Sequence, residues 1–262
     1  MINSKKYSVV VVGSGNVAEA VAQAVAECDA LELREVVARN RERGEAIAAM
    51  CMTAWQGKLS EAAPADLYII AVSDRAVGDV ARELRRGEEA TVVHTAGSVE
   101  CQVLGESRCG VLYPFQTFTA GRKVDFSQVP LFVEGTDEAT TQLILHVAHL
   151  LSHRVYRADS AQRREVHLTG VLACNFVNSL YAMAADRLQE CAHLPFDVLR
   201  PLIEETARKA IASPHPRGVQ TGPAVRGDFS VAERHCDMLQ SDIERDIYKL
   251  LTQYIWQTSK KI

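Results

Sequence analysis

No apolar run in the 262 residues approaches the ~20 that a helix needs to cross a bilayer, so the sequence predicts no membrane association. Met1–Tyr7 is short and polar and has no signal-peptide core. Charge of one sign is not in excess: 29 Lys and Arg face 33 Asp and Glu, a net charge of -4, which argues against general nucleic-acid binding. The seven cysteines (28, 51, 101, 109, 174, 191, 236) form no C-x-x-C pair and are odd in number. Reduced, buried thiols in a cytoplasmic protein are the expectation. Internal repeats and low-complexity tracts are absent. What remains is an ordinary globular composition, 47% hydrophobic and 24% charged, long enough for one large or two medium domains.

The most specific feature present lies near the N-terminus. Four valines, Val9 to Val12, end in Gly13-Ser14-Gly15, and a helical pattern (Val17, Ala18, Val21, Ala22, Val25) follows at once. Strand, glycine turn and helix in this order make the G-x-G-x-x-A fingerprint of a dinucleotide site. Gly13 supplies a backbone conformation closed to residues with a β-carbon. Gly15 lets the chain approach a pyrophosphate, and Ala18 is small enough for helix-on-strand packing. The N–H groups of Asn16 and Val17 then face an anion, with the helix dipole favouring it.

The first 157 residues alternate strand and helix. Strand patterns fit Ser8–Val12, Arg34–Ala38, Leu67–Val72, Thr91–Thr95, Gly110–Leu112, Val129–Val133 and Arg154–Tyr156. Helical patterns fit Val17–Glu27, Arg41–Met50, Ala76–Arg86 and Glu138–Leu151. That rhythm predicts an α/β domain, a Rossmann doubly wound parallel sheet, over residues 1–157. From 158 to 262 the pattern is all-helical. Residues 160–190 form one long helical stretch whose middle, Leu168–Ala185, is apolar nearly all round and is expected to be buried. Phe196–Ala212 and Ser230–Trp256 read as further helices, separated by the Pro- and Gly-rich segment Ser213–Asp228. So small a helical domain with so apolar a central helix is expected to complete its core in a homodimer.

NAD-selective folds place a carboxylate at the end of the second strand. Here that strand runs into Ala38-Arg39-Asn40-Arg41-Glu42-Arg43. Arginine matches a phosphate bidentately, so Arg39, Asn40 and Arg41 point to the 2′-phosphate of NADP, with NAD less favoured. A solvated basic helix start is the plain alternative. Val72 and Ser73, at the carboxyl edge of a later strand, can line the ribose and phosphates. Asp74 is either a ligand contact or the cap of the next helix.

Several residues could exchange protons or orient a substrate. His94 ends a strand at the carboxyl edge, just before Thr95-Ala96-Gly97; it is either a proton-transfer group or a histidine bonded to the sheet edge. The aromatics of Tyr113-Pro114-Phe115-Gln116-Thr117-Phe118 either wall an apolar pocket or simply pack beneath their loop. On the long helix His167, Val171, Cys174 and Asn178 share a face, with Asn175 adjacent. Polar groups in so apolar a helix need partners, which protein, water or substrate could supply. The loop Gln220–Asp228 packs Thr221, Arg226 and Asp228 among Gly and Pro; Arg226 suits a substrate carboxylate and Thr221 or Asp228 could orient it, unless Arg226 and Asp228 merely brace the loop. Histidines 146, 149 and 153 have no Cys or carboxylate beside them in the pattern, and no metal site is expected.

Over nearly its full length the chain resembles the NADP oxidoreductases that join a Rossmann-like domain to a helical C-terminal domain of unassigned function. These are distant relatives of pyrroline-5-carboxylate reductase, F420-dependent NADP reductase and the 6-phosphogluconate dehydrogenase superfamily. The resemblance rests on Gly13-Ser14-Gly15-Asn16-Val17-Ala18, His94-Thr95-Ala96-Gly97, Pro114-Phe115-Gln116-Thr117-Phe118, His167 with Asn175, and Thr221-Gly222-Pro223 through Arg226-Gly227-Asp228 with His235. It implies a 6-phosphogluconate-dehydrogenase-like C-terminal domain and Ala96 and Gly97 as cofactor neighbours. Two positions depart from the pattern. Tyr113 stands where such proteins often have histidine. Val171 replaces the lysine with which β-hydroxyacid dehydrogenases oxidise alcohols, which leaves His167 as the nearest substitute.

The expectation is an NADP-dependent oxidoreductase, cytoplasmic and homodimeric through its C-terminal helices. It would pass hydride between the nicotinamide and a small C=N or C=O substrate with an anionic group, held between the domains. His94 and His167 are the proton-transfer candidates, Asn175 and Thr221 orient the substrate, and Arg226 holds its anionic group. A non-catalytic, dimeric NADP-binding sensor is the alternative, since fold alone does not fix function.

Overall fold

A computed structural model describes residues 6–106 and 108–259. The polar start Met1–Tyr7 therefore lies mostly outside the described residues. In chain order the first elements are β1 (Tyr7–Val12), α1 (Asn16–Ala26), β2 (Leu31–Val37), α2 (Arg41–Met50), β3 (Ala54–Gln56), β4 (Leu67–Ile70), α3 (Val77–Glu83) and β5 (Thr91–His94). β6 (Cys109–Pro114), β7 (Leu131–Gly135), α4 (Glu138–Leu151) and β8 (Val155–Arg157) follow. From Ser160 on, every described element is helical: α5 (Ser160–Gly170), α6 (Phe176–Arg187), α7 (Arg200–Ala212), the one-turn α8 (Pro223–Arg226), α9 (Phe229–Met238) and α10 (Asp242–Ser259). Two compact units meet in the sequence between Ser179 and Leu180.

The eight strands form one sheet in the order β3-β2-β1-β4-β5-β6-β7-β8. All neighbours are parallel except β6 and β7. The order reverses beside β1, and ligands of such sheets bind at the carboxyl edge where that happens. The valine run explains the central strand: Val9, Val10 and Val11 are wholly buried, as a strand covered on both faces requires. The side of α1 carrying Ala18, Val21, Ala22 and Val25 packs on it. Caps fix the helix starts. Asn40 accepts from the Arg43 N–H, Asp137 from the Thr140 N–H, and Asp159 forms a reciprocal capping box with Gln162.

Several expectations change. The edge strand β3 is not legible in the sequence, because three residues carry no periodic signal. β7 runs antiparallel to β6. The stretch 230–256 is two helices, α9 and α10, and the Arg245 guanidinium binds the Leu239 carbonyl at the break between them. The helix starting at 76 begins with a tight turn over Asp74–Ala76 and ends at Glu83.

The largest correction concerns the long helical stretch, which runs continuously from Ser160 to Ala192 with π-helical turns at Val171–Asn175 and Leu188–Ala192. It is not buried within this chain. Leu168, Leu172 and Phe176, at four-residue spacing on one face, are each more than half exposed. By length and composition this helix could also cross a membrane, with a mean hydropathy of 1.3 over its most apolar part. An apolar helix of a water-soluble protein can have the same length and composition.

Candidate functional site

At the carboxyl edge of the sheet, beside the reversal of strand order, lies a cleft of about 600 Å³. Its floor is the turn after β1. Gly13 has φ +138°, and a β-carbon there would collide with the Ala71 carbonyl oxygen, so only glycine lets β1 and β4 end this close together. A β-carbon on Gly15 would meet nothing within 4 Å: its face is open to the cleft. Gly15 precedes α1 and no side chain caps that helix start, so its first N–H groups are left for an anion. Ser14, Asn16 and Val17 line the cleft, as do Val72 and Ser73 from the end of β4. The Asn16 amide donates to the Phe118 carbonyl at 3.1 Å and ties the loop after β6 to the glycine turn. This chemistry fits a dinucleotide: an uncapped helix start for a diphosphate, and a small-residue turn for close approach.

The three arginines after β2 are placed differently. Arg39 and Asn40 line the cleft, and Asn40 also caps α2. Arg41 does not line it; its guanidinium lies 5.5 Å over the Trp55 ring and its Nε donates to Glu45 at 2.9 Å. Arg43 pairs with buried Glu19 at 2.8 Å and reaches the Ser14 carbonyl at 3.4 Å. Two of the three charges are thus met by carboxylates of the protein itself, and the basic cluster as a whole needs no bound anion to explain it. Arg39 has no carboxylate partner among the described residues. Glu19 was not singled out by the sequence. A carboxylate in the first turn of α1, on the side that carries Ala18 and Ala22, is the signal that could have found it; its pairing with Arg43 is tertiary.

A second cleft, of about 500 Å³, lies within the same unit and shares Gln116 and Phe118 with the first. Tyr113, Phe115, His167, Gly170, Val171, Cys174 and Asn175 complete its lining. Asn175 sits in a π-helical turn, a local irregularity that recurs at functional sites. The Tyr113 hydroxyl lies 3.0 Å from His167 Nδ1. Burial, helped by the charge of Asp74 and opposed by Arg163, pushes the Tyr113 phenol up to about 12. It stays protonated near neutrality, and where the His167 proton sits on Nε2 it donates to Nδ1. Gly97 sits against this pair, since a β-carbon there would lie 2.7 Å from His167 Nδ1 and 2.8 Å from the Tyr113 ring. Phe115 packs on Gly170. The aromatics of the 113–118 segment therefore both wall a pocket and pack beneath it.

His94 is wholly buried and lines neither cleft. Its Nδ1 accepts from the Ala96 N–H at 3.2 Å and its Nε2 lies 3.3 Å from the Glu100 carbonyl, which fixes the proton on Nε2. Desolvation, reinforced by the charge of Arg163, lowers its pKa to about 4. This is the geometry of a histidine bonded to the sheet edge. With both ring nitrogens engaged and no access to a cleft, the proton-transfer assignment has no path to a substrate. Ala96 and Gly97 form the turn that follows, behind the second cleft rather than in the lining of the first. Asp74 accepts from the Ser98 hydroxyl.

The second unit holds Thr221 and Arg226, both exposed. Arg226 ends the one-turn α8, between Gly222 (φ +112°) and Gly227 (φ +70°). Asp228 caps α9, accepting from the Val231 N–H and the Ser230 hydroxyl. Its carboxylate is accordingly used as a cap, and the bracing pair with Arg226 is not formed among the described residues. His235 Nδ1 lies 2.8 Å from the Tyr248 hydroxyl. Among the described residues no group of three or more metal-ligating side chains gathers, and His146 packs on Tyr7.

The family model described as "NADP oxidoreductase coenzyme F420-dependent" matches residues 8–97, and the one described as "Domain of unknown function (DUF2520)" matches residues 129–255. No match is found among curated proteins. A Bacteroides fragilis protein whose crystal structure is described as that of a "putative NADP oxidoreductase" is 37% identical, over 96% of this chain and 98% of that one, with a TM-score of 0.86. An imine reductase from a Pseudomonas species is 18% identical over 95% and 93% of the two chains (TM-score 0.65). A pyrroline-5-carboxylate reductase from Coxiella burnetii is 14% identical over 98% of each (TM-score 0.57). The last two show a shared fold alone.

Proposed function

Because this chain belongs to the NADP oxidoreductase family that pairs a Rossmann-like domain with a helical C-terminal domain, we propose that it is an NADP-dependent reductase of a small C=N or C=O compound. The observation that carries the reading is the Tyr113–His167 pair in a cleft that shares Gln116 and Phe118 with the dinucleotide cleft. A proton donor and the cofactor site thus border on one another.

The turn at Gly13, Ser14 and Gly15 and the start of α1 at Asn16 and Val17 hold the diphosphate, with Val72 and Ser73 beside the ribose. Arg39, with Asn40, meets the 2′-phosphate; this favours NADP over NAD. When bound, the dinucleotide supplies two electrons to the unsaturated carbon as a hydride. At rest the Tyr113 hydroxyl points at His167 Nδ1; with a substrate in the cleft it turns to the nitrogen or oxygen of that substrate and gives up its proton, so that the reduced atom ends neutral, and a proton taken up from solvent at Nδ1 restores the phenol. Asn175 offers an amide in the same cleft. In the second unit, Arg226 and Thr221 are the residues suited to hold and orient an anionic group. The shared fold of an imine reductase and a pyrroline-5-carboxylate reductase agrees with a C=N substrate.

A homodimer in a reducing, cytoplasmic setting belongs to the same proposal. A second copy would cover the apolar face of Leu168, Leu172 and Phe176, and Cys28, Cys51, Cys101, Cys174, Cys191 and Cys236 are free thiols. Sedimentation at micromolar concentration reads the dimer.

The decisive experiment incubates the protein with NADPH and a panel of imines, ketoacids and aldehydes and follows cofactor absorbance. Turnover of any of them supports the reading. Absence of NADPH binding by calorimetry defeats it. Tight binding without turnover on a broad panel favours the sensor. R226A should weaken substrate binding at least tenfold and leave NADPH affinity nearly unchanged; equal loss of both would reassign Arg226 to the cofactor or the fold.

A further inference from the structure

We propose that Arg163 is a positioning residue: by binding Glu134 and the Val99 carbonyl it sets α5 at the axial position that brings His167 onto Tyr113. The inference rests on the reading of that pair as the proton donor.

Arg163 is 0% exposed, the largest wholly buried side chain among the described residues. One guanidinium nitrogen binds the Glu134 carboxylate; the other donates to the Val99 carbonyl and, at 3.2 Å, to Ser160 Oγ. The Ser160 hydroxyl in turn donates to Glu134 at 2.9 Å. Nε alone finds no partner in the protein. A buried ion pair adds little net stability over neutral side chains of similar volume, because both charges lose their hydration, so this arginine is not explained by fold stability alone. Uncharged side chains of similar size at both 163 and 134 would fill the same space without that cost.

The register shows what the cation does. On the sheet, Val111 pairs with Glu134 and Tyr113 with Phe132, so Tyr113 and Glu134 lie on one face, offset by two residues along the strands. On α5, Arg163 and His167 are four residues apart and share one face. Four helical residues rise about 6 Å, and two strand residues span about 6.6 Å. The two spacings match. The pair Arg163–Glu134 and the pair His167–Tyr113 are therefore two rungs between the same helix and the same sheet face, with Val166 packed between them against the Tyr113 cluster. If the first rung slips by one helical residue, the second is broken.

The second contact of Arg163 reaches the other side of the site. Val99 follows the turn that presses Gly97 against the Tyr113–His167 pair. Neighbouring Arg164 binds the Glu100 carboxylate at 3.1 Å, and His94 binds the Glu100 carbonyl. One guanidinium thus fixes the helix bearing His167 to both the strand and the turn that enclose it. A planar fork can make both contacts at once; a lysine ammonium on a single nitrogen cannot hold the same geometry.

Nitrogen NMR of the histidine side chains, on the full-length protein at pH 8, tests this without a substrate, with His167 assigned through H167Q. The wild type should show His167 as a single tautomer, protonated on Nε2 and accepting on Nδ1, and Y113F should remove that signature. R163M/E134Q, which discards the buried ion pair without leaving a lone charge, should replace it by the averaged tautomer pattern of an exposed histidine. NADPH affinity should stay within twofold, and the melt should stay cooperative. If that variant does not fold, R163K decides in the same way. A His167 signature that persists in a folded R163M/E134Q or R163K overturns the proposal, as does its absence from the wild type. Failure to bind NADPH would defeat the reductase reading and leave this result standing.

Discussion

Acid should destabilise the protein through His94, and by an amount that the structure sets. The imidazole is wholly buried, its Nδ1 already accepts from Ala96, and a buried arginine adds a repelling charge. Its pKa falls from 6.5 to about 4 in the folded chain. In the unfolded chain the ring is solvated and titrates normally. Between those two values the unfolded state binds the extra proton, so stability is complete above pH 6.5 and drains away as the pH falls towards 4. The shift corresponds to about 3 kcal/mol at 1.36 kcal/mol per unit. Urea unfolding of wild type and H94Q from pH 7.5 to 4 isolates the effect, because the other titrating groups cancel in the difference. The wild type should lose about 3 kcal/mol more than H94Q over that range. Parallel curves, or a wild type that gains on the variant in acid, would show that His94 is charged or exposed in the native state. The structural account of the turn after β5 would then be wrong.

Three further outcomes follow from particular contacts. R39A should weaken NADPH binding about ten- to hundredfold, the worth of one charge-assisted phosphate contact, and leave NADH nearly untouched; calorimetry with both cofactors reads the ratio, and equal losses would refute a 2′-phosphate role. Y113F should fold normally and, on whichever substrate the panel identifies, lower kcat by about a hundredfold with little change in KM; an unchanged kcat would move the proton donor elsewhere. Cys51 and Cys101 are buried and their thiols are pushed up to about 11 and 12 by desolvation first. A thiol reagent at pH 8 should leave both unmodified until denaturant is added, as mass spectrometry of the peptides would show.

The glycine turn and the cleft above it were legible because each of their parts is local. Gly13, Gly15 and Ala18 act within one turn, and the helix start leaves its first N–H groups without a side-chain cap. The valine run announces a strand buried on both faces, and the helical stretches announce themselves by spacing. The Arg39–Arg43 cluster was read correctly as basic but not as shared. That Arg43 belongs to Glu19 and Arg41 to Glu45 and Trp55 depends on which helix faces which. Spacing along one element does not contain that.

His94 and His167 make the contrast plainest. The sequence offers two histidines near turns of polar and small residues and gives each a reason to move protons. Only the tertiary structure separates them. One is sealed under the sheet edge with both nitrogens bonded; the other lines a cleft with its ring on a tyrosine from a strand 54 positions away. Burial sets the charge state of an imidazole, and burial is a property of what packs on the residue. Local order thus came from the sequence by itself: the strand–turn–helix that shapes the cleft at the carboxyl edge, and the helical character of the C-terminal part. The packing of α5 across β6 and β7, with Arg163 holding the register, decided which polar groups meet, because contacts between distant segments are fixed by the shape of the assembled core.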